Sequence, residues 1–301
     1  MEGKAKPLVK ILGGADTRFV IPVYQRNYDW KHEQCDRLFS DLEDISCNDQ
    51  RAHFFGSIVS KGAGDHRVLI DGQQRITTSF ILLAAMLRQI ADGNLLAQKP
   101  DTLAKYIRNE WLIDEYEETE KLKLKLVKDD QEAFKKVIEH ALAAPKDESA
   151  SNEDSIVNNE ENLIEGSNVT ENYRFFLDKI RQTELDGEQL REAIKRLIII
   201  DITLDAGDDA QLIFESLNST GLELSEGDKI RNYILMNMPD YKQEDCYKNY
   251  WNPIEKNTDY DVSKFVRFYL SAITRKTPTL NRVYPTFKEY ADKWDKEELL
   301  K

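Results

Sequence analysis

The sequence predicts an α+β fold in which a mixed lobe over residues 1–95 is followed by a mainly helical lobe over residues 96–301. Three observations lead there. In the first hundred residues, short β-branched and aromatic runs alternate with segments of helical periodicity. After about residue 95, helical spacing dominates. A long apolar helical stretch, Gln73 to Ile90, also follows directly on a strand-like run and a glycine, the order found where a strand feeds a helix. With 301 residues, 41% of them hydrophobic, the chain is long enough to bury a sizeable core.

Taken in order, Phe19 to Tyr24 is β-branched and aromatic but broken by Pro22, which suits an edge strand or an extended loop. From Lys31 to Ile45 the apolar residues Cys35, Leu38, Phe39, Leu42 and Ile45 recur at three and four, a one-faced helix. Phe54 to Ser60 and Arg67 to Ile70 read as strands joined by a hairpin connection over 61–65. Asp71-Gly72 ends the second strand, and the helix that follows is apolar enough to be buried on several sides. Thr102 to Trp111 and Asp130 to Ala144 fit helices, while Lys121 to Lys128 alternates Lys with Leu or Val and reads as a two-faced strand. Seven acidic residues, one lysine and few apolar ones make 141–168 an acidic linker without chemistry. Helices resume at Glu171 to Arg181 and Gly187 to Arg196, followed by the strand Leu197 to Leu204 and the helix Asp208 to Leu217. Ser225 with Asp228 resembles a capping box that opens Glu226 to Met238, and two or three further helices complete the chain.

Composition narrows the function. Net charge is -13, yet residues 1–110 carry 15 Lys and Arg against 14 Asp and Glu, so the acidity lies in the remainder, with 27 against 41. An acidic surface repels a phosphate backbone, which argues against non-specific DNA binding by this chain alone and leaves only a local basic cleft. The longest apolar runs, Phe80 to Leu87 and Leu197 to Ile200, fall far short of the roughly 20 residues of a membrane span. Met1 to Lys10 has three lysines and no apolar core of a secretory signal, so a cytoplasmic location is expected. Three cysteines without a Cys-x-x-Cys pair and four scattered histidines give neither a disulfide framework nor a zinc site. Any metal would be held by oxygen.

Three stretches concentrate residues suited to chemistry. In Asp71-Gly72-Gln73-Gln74-Arg75-Ile76-Thr77-Thr78 the strand, glycine and helix N-terminus bring unpaired N–H groups and the positive end of a helix dipole to one point, which suits a phosphate. Arg75, Thr77 and Thr78 add donors, Gly72 permits close approach, and Asp71 can accept a ribose hydroxyl or bind Mg²⁺ through water. The structural alternative makes Asp71 and Thr77 capping residues and Arg75 half of an ion pair. In Ile21 to Trp30, Arg26 offers a cation beside Tyr24, Gln25, Tyr28 and Trp30, unless the aromatics are simply core at the start of the next helix. In the third stretch, Asn218 and Gly221 fit a helix end and tight turn, whereas Glu215, Arg231 and Asn232 are polar residues on the flanking helices that would converge on what the turn faces. His53 reads as a packed or capping histidine.

The motifs Ile-Pro-x-Tyr-Gln-Arg-x-Tyr-x-Trp at 21–30, His-Phe-Phe-Gly-Ser-Ile-Val at 53–59, Asp-Gly-Gln-Gln-Arg-x-Thr-Thr at 71–78 and Phe-Glu-Ser-Leu-Asn-Ser-Thr-Gly-x-x-Leu at 214–224 resemble, in that order, the N-terminal domain of the GmrSD-type restriction family. The resemblance spans roughly residues 11–240 and covers the acidic linker and the last sixty residues only loosely. It implies a ParB/sulfiredoxin-like N-terminal lobe that binds and hydrolyses a nucleoside triphosphate with Mg²⁺. Under it, Arg26 and Arg75 hold phosphates, Gly72, Gln73 and Gln74 supply backbone and amide contacts, and Asp71 is the metal or ribose partner. Gln73, Gln74 or Glu215 would orient the water, and Tyr24, Gln25, Thr77, Thr78, Asn218, Arg231 and Asn232 would complete the nucleotide site. The family implies a partner nuclease domain or subunit with a His-Asn-His motif that cuts modified DNA. His140 is the last histidine, so this sequence does not itself carry that motif, and the nuclease is expected on a further domain or a separate subunit. Two other readings are a module that binds and signals without turnover, and a sulfinic-acid reductase or phosphotransferase; no cysteine adjoins Asp71 to Arg75 to support the last.

Overall fold

A computed structural model describes the chain apart from residues 15–16, 63–65, 116–120, 145–161, 206, 219–223, 237 and 301, and apart from the side chains at 128, 129, 217, 218, 240 and 297. The chain divides into two compact units, Met1–Ile21 with Asn27–Ala206, and Pro22–Arg26 with Gly207–Lys301.

The first unit is α+β. Its elements are β1 (Glu2–Pro7), α1 (Leu8–Leu12), β2 (Arg18–Val20), α2 (His32–Cys47), β3 (His53–Lys61), β4 (His66–Asp71), α3 (Gln73–Ala91), α4 (Pro100–Tyr106), a π-helical turn at Ile107–Leu112, β5 (Leu124–Lys125), α5 (Lys128–Leu142), α6 (Asn168–Gln182), α7 (Gly187–Lys195) and β6 (Leu197–Leu204). Six strands form one mixed sheet in the order β1-β6-β3-β4-β2-β5. β6 runs antiparallel to β1 and parallel to β3, β3 pairs antiparallel with β4, and β2 runs parallel to both β4 and β5. Because β6 sits between β1 and β3, the sheet is completed by residues far beyond 95, and the division of the chain falls near residue 206 instead.

Helix α3 is the centre of the core. Every residue in it except Arg75 and Ala91 is buried, as its nearly uninterrupted apolar sequence requires. Several of the polar residues that this burial takes inside are given partners by remote segments. Arg88 donates to Asp92 and to the carbonyls of His140, at 3.3 Å, and Ala143, at 3.1 Å, while Gln89 Nε2 donates to Leu177 O at 3.1 Å. On α2 the buried residues are Cys35, Leu38, Phe39, Leu42 and Ile45, the five that define its apolar stripe.

Residues 27–30 have no ladder of their own and are held by side chains from three helices. Gln74 Oε1 accepts from Asp29 N at 2.8 Å and Trp30 N at 3.2 Å, and Gln74 Nε2 donates to Asn27 O at 3.2 Å. Asp130 accepts from Tyr28 N at 2.6 Å, Asn168 donates to Tyr28 O at 3.0 Å, and Asn172 donates to Trp30 O at 2.7 Å. The buried Tyr28 hydroxyl meets Thr78 Oγ1 at 2.7 Å and accepts from Asn172 Nδ2 at 3.0 Å. Tyr28 and Trp30 are thus packing residues at the start of α2.

Several elements differ from their sequence expectation. Of the edge strand or extended loop expected over Phe19 to Tyr24, strand is confined to Arg18–Val20 and lies inside the edge strand β5, because Pro22 opens a turn closed by Gln25 N donating to Pro22 O at 2.9 Å. In Lys121 to Lys128 only Leu124–Lys125 enters the ladder. Lys123, expected on a solvent face, is 1% exposed, with Nζ donating to Gly14 O at 3.0 Å and Glu110 O at 2.7 Å. Its ammonium is held by one carbonyl in the π-helical turn and one in the loop after α1, a demand that periodicity does not register. Helix α6 begins at Asn168, at the end of the segment read as linker; 145–161 of that segment lie outside the described residues.

The second unit is helical, with α8 (Ala210–Asn218), α9 (Glu226–Leu235), α10 (Asp240–Cys246), a π-helical turn at Tyr247–Trp251, α11 (Asn252–Asn257), α12 (Val262–Thr274), a 3₁₀ turn at Leu280–Arg282, α13 (Val283–Ala291) and α14 (Lys296–Leu300). Five helices follow α9 among the described residues, more than the two or three expected, because α10, α11 and α14 are too short to show a periodic stripe. The capping box is present: Ser225 Oγ accepts from Asp228 N at 3.0 Å, and Asp228 Oδ2 accepts from Ser225 N at 3.3 Å.

Asp201 of β6 ties the sheet electrostatically, accepting from Lys6 Nζ at 2.8 Å on β1 and from Arg67 on β4. Burial pushes its carboxyl up, but the hydrogen bonds from Lys6 and Arg67 outweigh it and hold the pKa below the ordinary value. Since the folded value is the lower one, this contribution is present above the unfolded pKa of about 4 and is lost as pH falls through the folded value. Asp201→Asn is therefore expected to be less stable than the parent in urea at neutral pH, with the gap narrowing below about pH 4. A gap that does not change with pH would contradict this.

Candidate functional site

The end of β4 and the start of α3 make a turn that only glycine allows. Gly72 has φ 88° and ψ 9°, in the left-handed region. A Cβ there would meet Ser57 O at 2.9 Å, Ile58 Cγ1 at 3.0 Å and Ile58 Cα at 3.1 Å. The same strand supplies Gly56, at φ +124°, where a Cβ would lie 2.5 Å from Arg75 Nε and 2.8 Å from Arg75 Cζ. A register shift between Phe54 and Gly56 in the β3–β6 ladder accompanies that conformation. The 53–59 and 71–78 motifs therefore interlock, one glycine making room for the turn and the other for the guanidinium.

This arrangement leaves α3 open at its N-terminus. Its N-cap is a glycine with no side chain to cap it, and its first turn holds no acidic residue, so among the described residues the helix does not itself use the N–H groups of its first turn. Arg75 is half-buried, its Nη1 donates to Ser57 O at 3.3 Å, and it forms no ion pair among the described residues. The ion-pair alternative for Arg75 is not what the structure adopts. Gln73 is 8% exposed, and its side-chain amide makes no hydrogen bond among the described residues. Asp71 is half-buried and pairs across the ladder with Val59.

The other residues of the motif turn inward. Both ends of the Gln74 amide hold residues 27–30. Thr78 is fully buried, donates to Gln74 O at 2.8 Å and meets the Tyr28 hydroxyl. Thr77 is 1% exposed. Neither threonine hydroxyl faces solvent as a donor. His53 Nε2 lies 3.2 Å from Asp41 Oδ2, the packed role expected of it. Cys35 is buried, and burial pushes its thiol to about 12, the opposite of an activated nucleophile.

In the second unit, Tyr24 is buried, Gln25 is 4% exposed and Arg26 is half-buried. Arg231 is saturated: Nε donates to Tyr24 O at 2.9 Å, Nη1 to Glu255 at 2.5 Å and Nη2 to Asp228 at 2.7 Å. Glu255 also accepts from Trp251 Nε1 at 2.8 Å and Tyr247 Oη at 3.1 Å, completing a buried cluster around that guanidinium. Glu215, Asn232 and Tyr284 line a cavity of about 480 Å³. Glu215 accepts from the Tyr284 hydroxyl and from Gln211 Nε2 at 2.9 Å, with Lys288 Nζ 3.5 Å away. Burial, followed by the adjacent Glu215 carboxylate, raises the Tyr284 pKa. Asn232 is 3% exposed, and its Oδ1 has no hydrogen-bond partner among the described residues. The side chain of Asn218, and Gly221, lie outside the described residues.

Sequence reasoning missed the pairing of Gly56 with Arg75 and the Tyr28–Asn172–Thr78 cluster. The glycine inside the 53–59 strand was the available signal, since a strand glycine marks a bulge or a close approach.

Gly56→Ala is expected to destabilise the chain by about 1–3 kcal/mol, because it forces a left-handed Cβ into the Arg75 guanidinium. Urea unfolding checks this, and an unchanged midpoint would contradict it.

Compared with known protein families, the chain matches the one described as GmrSD restriction endonuclease, N-terminal domain, over residues 8–235. None of the curated proteins compared with it matches. The matched region contains all four sequence motifs and the interlocked glycine turn.

Proposed function

The chain belongs to the GmrSD restriction endonuclease N-terminal domain family, and we propose that its first unit binds a nucleoside triphosphate at the start of α3 and so regulates the nuclease activity of such a system. The observation that carries this reading is Arg75, a half-buried cation on the first turn of a helix that opens on a glycine and has no acidic residue in that turn, with no ion pair to Arg75 among the described residues. A phosphate placed there would accept from the first-turn N–H groups and from a guanidinium whose fork is not occupied by a carboxylate. Gly72 lets an anion approach the backbone closely.

Of the three residues considered for orienting a water, Gln73 alone has a side-chain amide without a partner among the described residues. Gln74 is committed to residues 27–30 and Glu215 to Tyr284 and Gln211. Gln73 is accordingly the water-positioning residue of this proposal. Among the described residues, no group of three or more His, Cys, Asp or Glu is placed to hold a metal. In this proposal Mg²⁺ would be held in the manner usual for nucleotides, by phosphate oxygens, water and one carboxylate, here Asp71. When bound, the ion would neutralise charge on the phosphates. A nuclease domain or subunit with a His-Asn-His motif is the proposed partner, and DNA its substrate. A module that binds and signals without turnover is the second reading, favoured by the engagement of Gln74 and Glu215.

Calorimetry against GTP, ATP and CTP with Mg²⁺, with phosphate release followed on the same samples, separates these readings. Parent protein is expected to bind at least one of them, and folded Arg75→Ala to lose that binding by tenfold or more, the scale of one charge-assisted hydrogen bond of about 1.5–3 kcal/mol. Gln73→Ala is expected to slow phosphate release while leaving affinity in place. Unchanged affinity in folded Arg75→Ala would overturn the site. Binding with no phosphate release from the parent would leave the signalling reading.

A further inference from the structure

In the second unit, α12 buries Val262, Val266 and Leu270 and turns a second apolar row outward. Phe265 is 43% exposed, Phe268 56%, Tyr269 42% and Ile273 42%. A soluble helix normally places polar residues on its outer face, so a row of three aromatics there calls for an occupant. The row continues onto α13: the Tyr269 and Tyr290 rings lie 6.3 Å apart edge to face, and Tyr290 leads to Trp294 at 6.4 Å. Trp294 is itself 52% exposed.

Charge identifies the occupant. In a chain of net charge -13, residues 262–294 hold seven Lys and Arg against two acids. Lys264 lies on the exposed side of α12, Arg275 and Lys276 follow its C-terminus, and Lys293 adjoins Trp294. All four are exposed, and none forms an ion pair among the described residues. A protein partner would favour aromatics without lysine, which is depleted at such interfaces. Unpaired cations interleaved with exposed rings are the arrangement that tracks a phosphate backbone and stacks its unpaired bases. Bases are available for stacking only when they are not paired in a duplex.

We propose that the outer face of α12, continued through Tyr290 and Trp294, is a binding surface for single-stranded DNA. It gives this chain a direct contact with nucleic acid, beyond any made through a nuclease partner, and it stands independently of the nucleotide reading.

The test is fluorescence anisotropy of a labelled oligothymidylate titrated with the full chain at low and moderate salt, against a duplex control. The parent is expected to bind the single strand in preference to duplex, with log affinity falling against log salt at a slope of roughly -0.7 per neutralised phosphate. Phe268→Ala and Trp294→Ala are each expected to weaken binding about 5- to 150-fold, the cost of one lost base stack. Both side chains are more than half exposed, so the variants should keep the parent circular dichroism. The triple variant Lys264→Glu, Arg275→Glu, Lys276→Glu, confined to exposed positions, is expected to abolish binding. The proposal is overturned if the parent does not bind, if it prefers duplex, or if these substitutions leave its affinity unchanged. It is equally overturned if sedimentation shows that Phe268→Ala and Trp294→Ala dissociate a protein oligomer while DNA binding stays as it was.

Discussion

A helix that starts where a strand ends, and is buried for nearly its whole length, constrains the first unit more than any other feature. Helix α3 is buried for nearly its whole length, so polar groups along it depend on partners inside. Arg88, Gln89 and Gln74 do so on carbonyls and amides contributed by remote segments, and those bonds in turn fix where α2, α5 and α6 can lie. The transition from β4 into α3 takes a single residue, which is possible only because Gly72 accepts a left-handed conformation against Ser57 and Ile58. Gly56 then provides the space in which the Arg75 guanidinium lies.

The same constraint makes the site. A buried helix still has first-turn N–H groups to satisfy, and here the N-cap is a glycine and the first turn has no acidic residue to satisfy them. Within α3 only Arg75 and the terminal Ala91 escape burial, and the Arg75 guanidinium lies against Gly56 and Ser57 of β3. Stability and the proposed binding draw on one geometry, the close approach of β3 to the glycine turn that opens the helix. The second unit contrasts with this, because its prominent guanidinium, Arg231, is surrounded by Asp228, Glu255 and a carbonyl and acts as a buried clamp.

Elements with strong local periodicity were legible in the sequence. The stripe of α2, the apolar run of α3, the strands β3 and β4 and the Ser225 capping box all lie where pattern and capping chemistry put them. The strand–glycine–helix order was legible too, and it places Gly72 at the turn. What pattern could not carry was long-range side-chain bonding. Lys123 looks like the outward residue of an alternating strand until the carbonyls of Gly14 and Glu110 are near it. Gln74 and Gln73 are adjacent and chemically identical, yet only Gln74 meets residues 27–30, forty-odd positions away. Thr78 and Arg231 were likewise assigned to ligand when their partners are Tyr28 and Glu255. Each such partner is set by tertiary approach and leaves no mark on local spacing.

In the proposed function the open N-terminus of α3 receives the phosphates of a nucleotide. Hydrogen–deuterium exchange measured residue by residue, with and without a saturating nucleoside triphosphate and Mg²⁺, tests it most directly. The account predicts slowed exchange at the amides of Gln73, Gln74 and Arg75, the donors that the helix itself leaves unused. Nucleotide bound with these amides exchanging as fast as before, and protection appearing elsewhere, would contradict it.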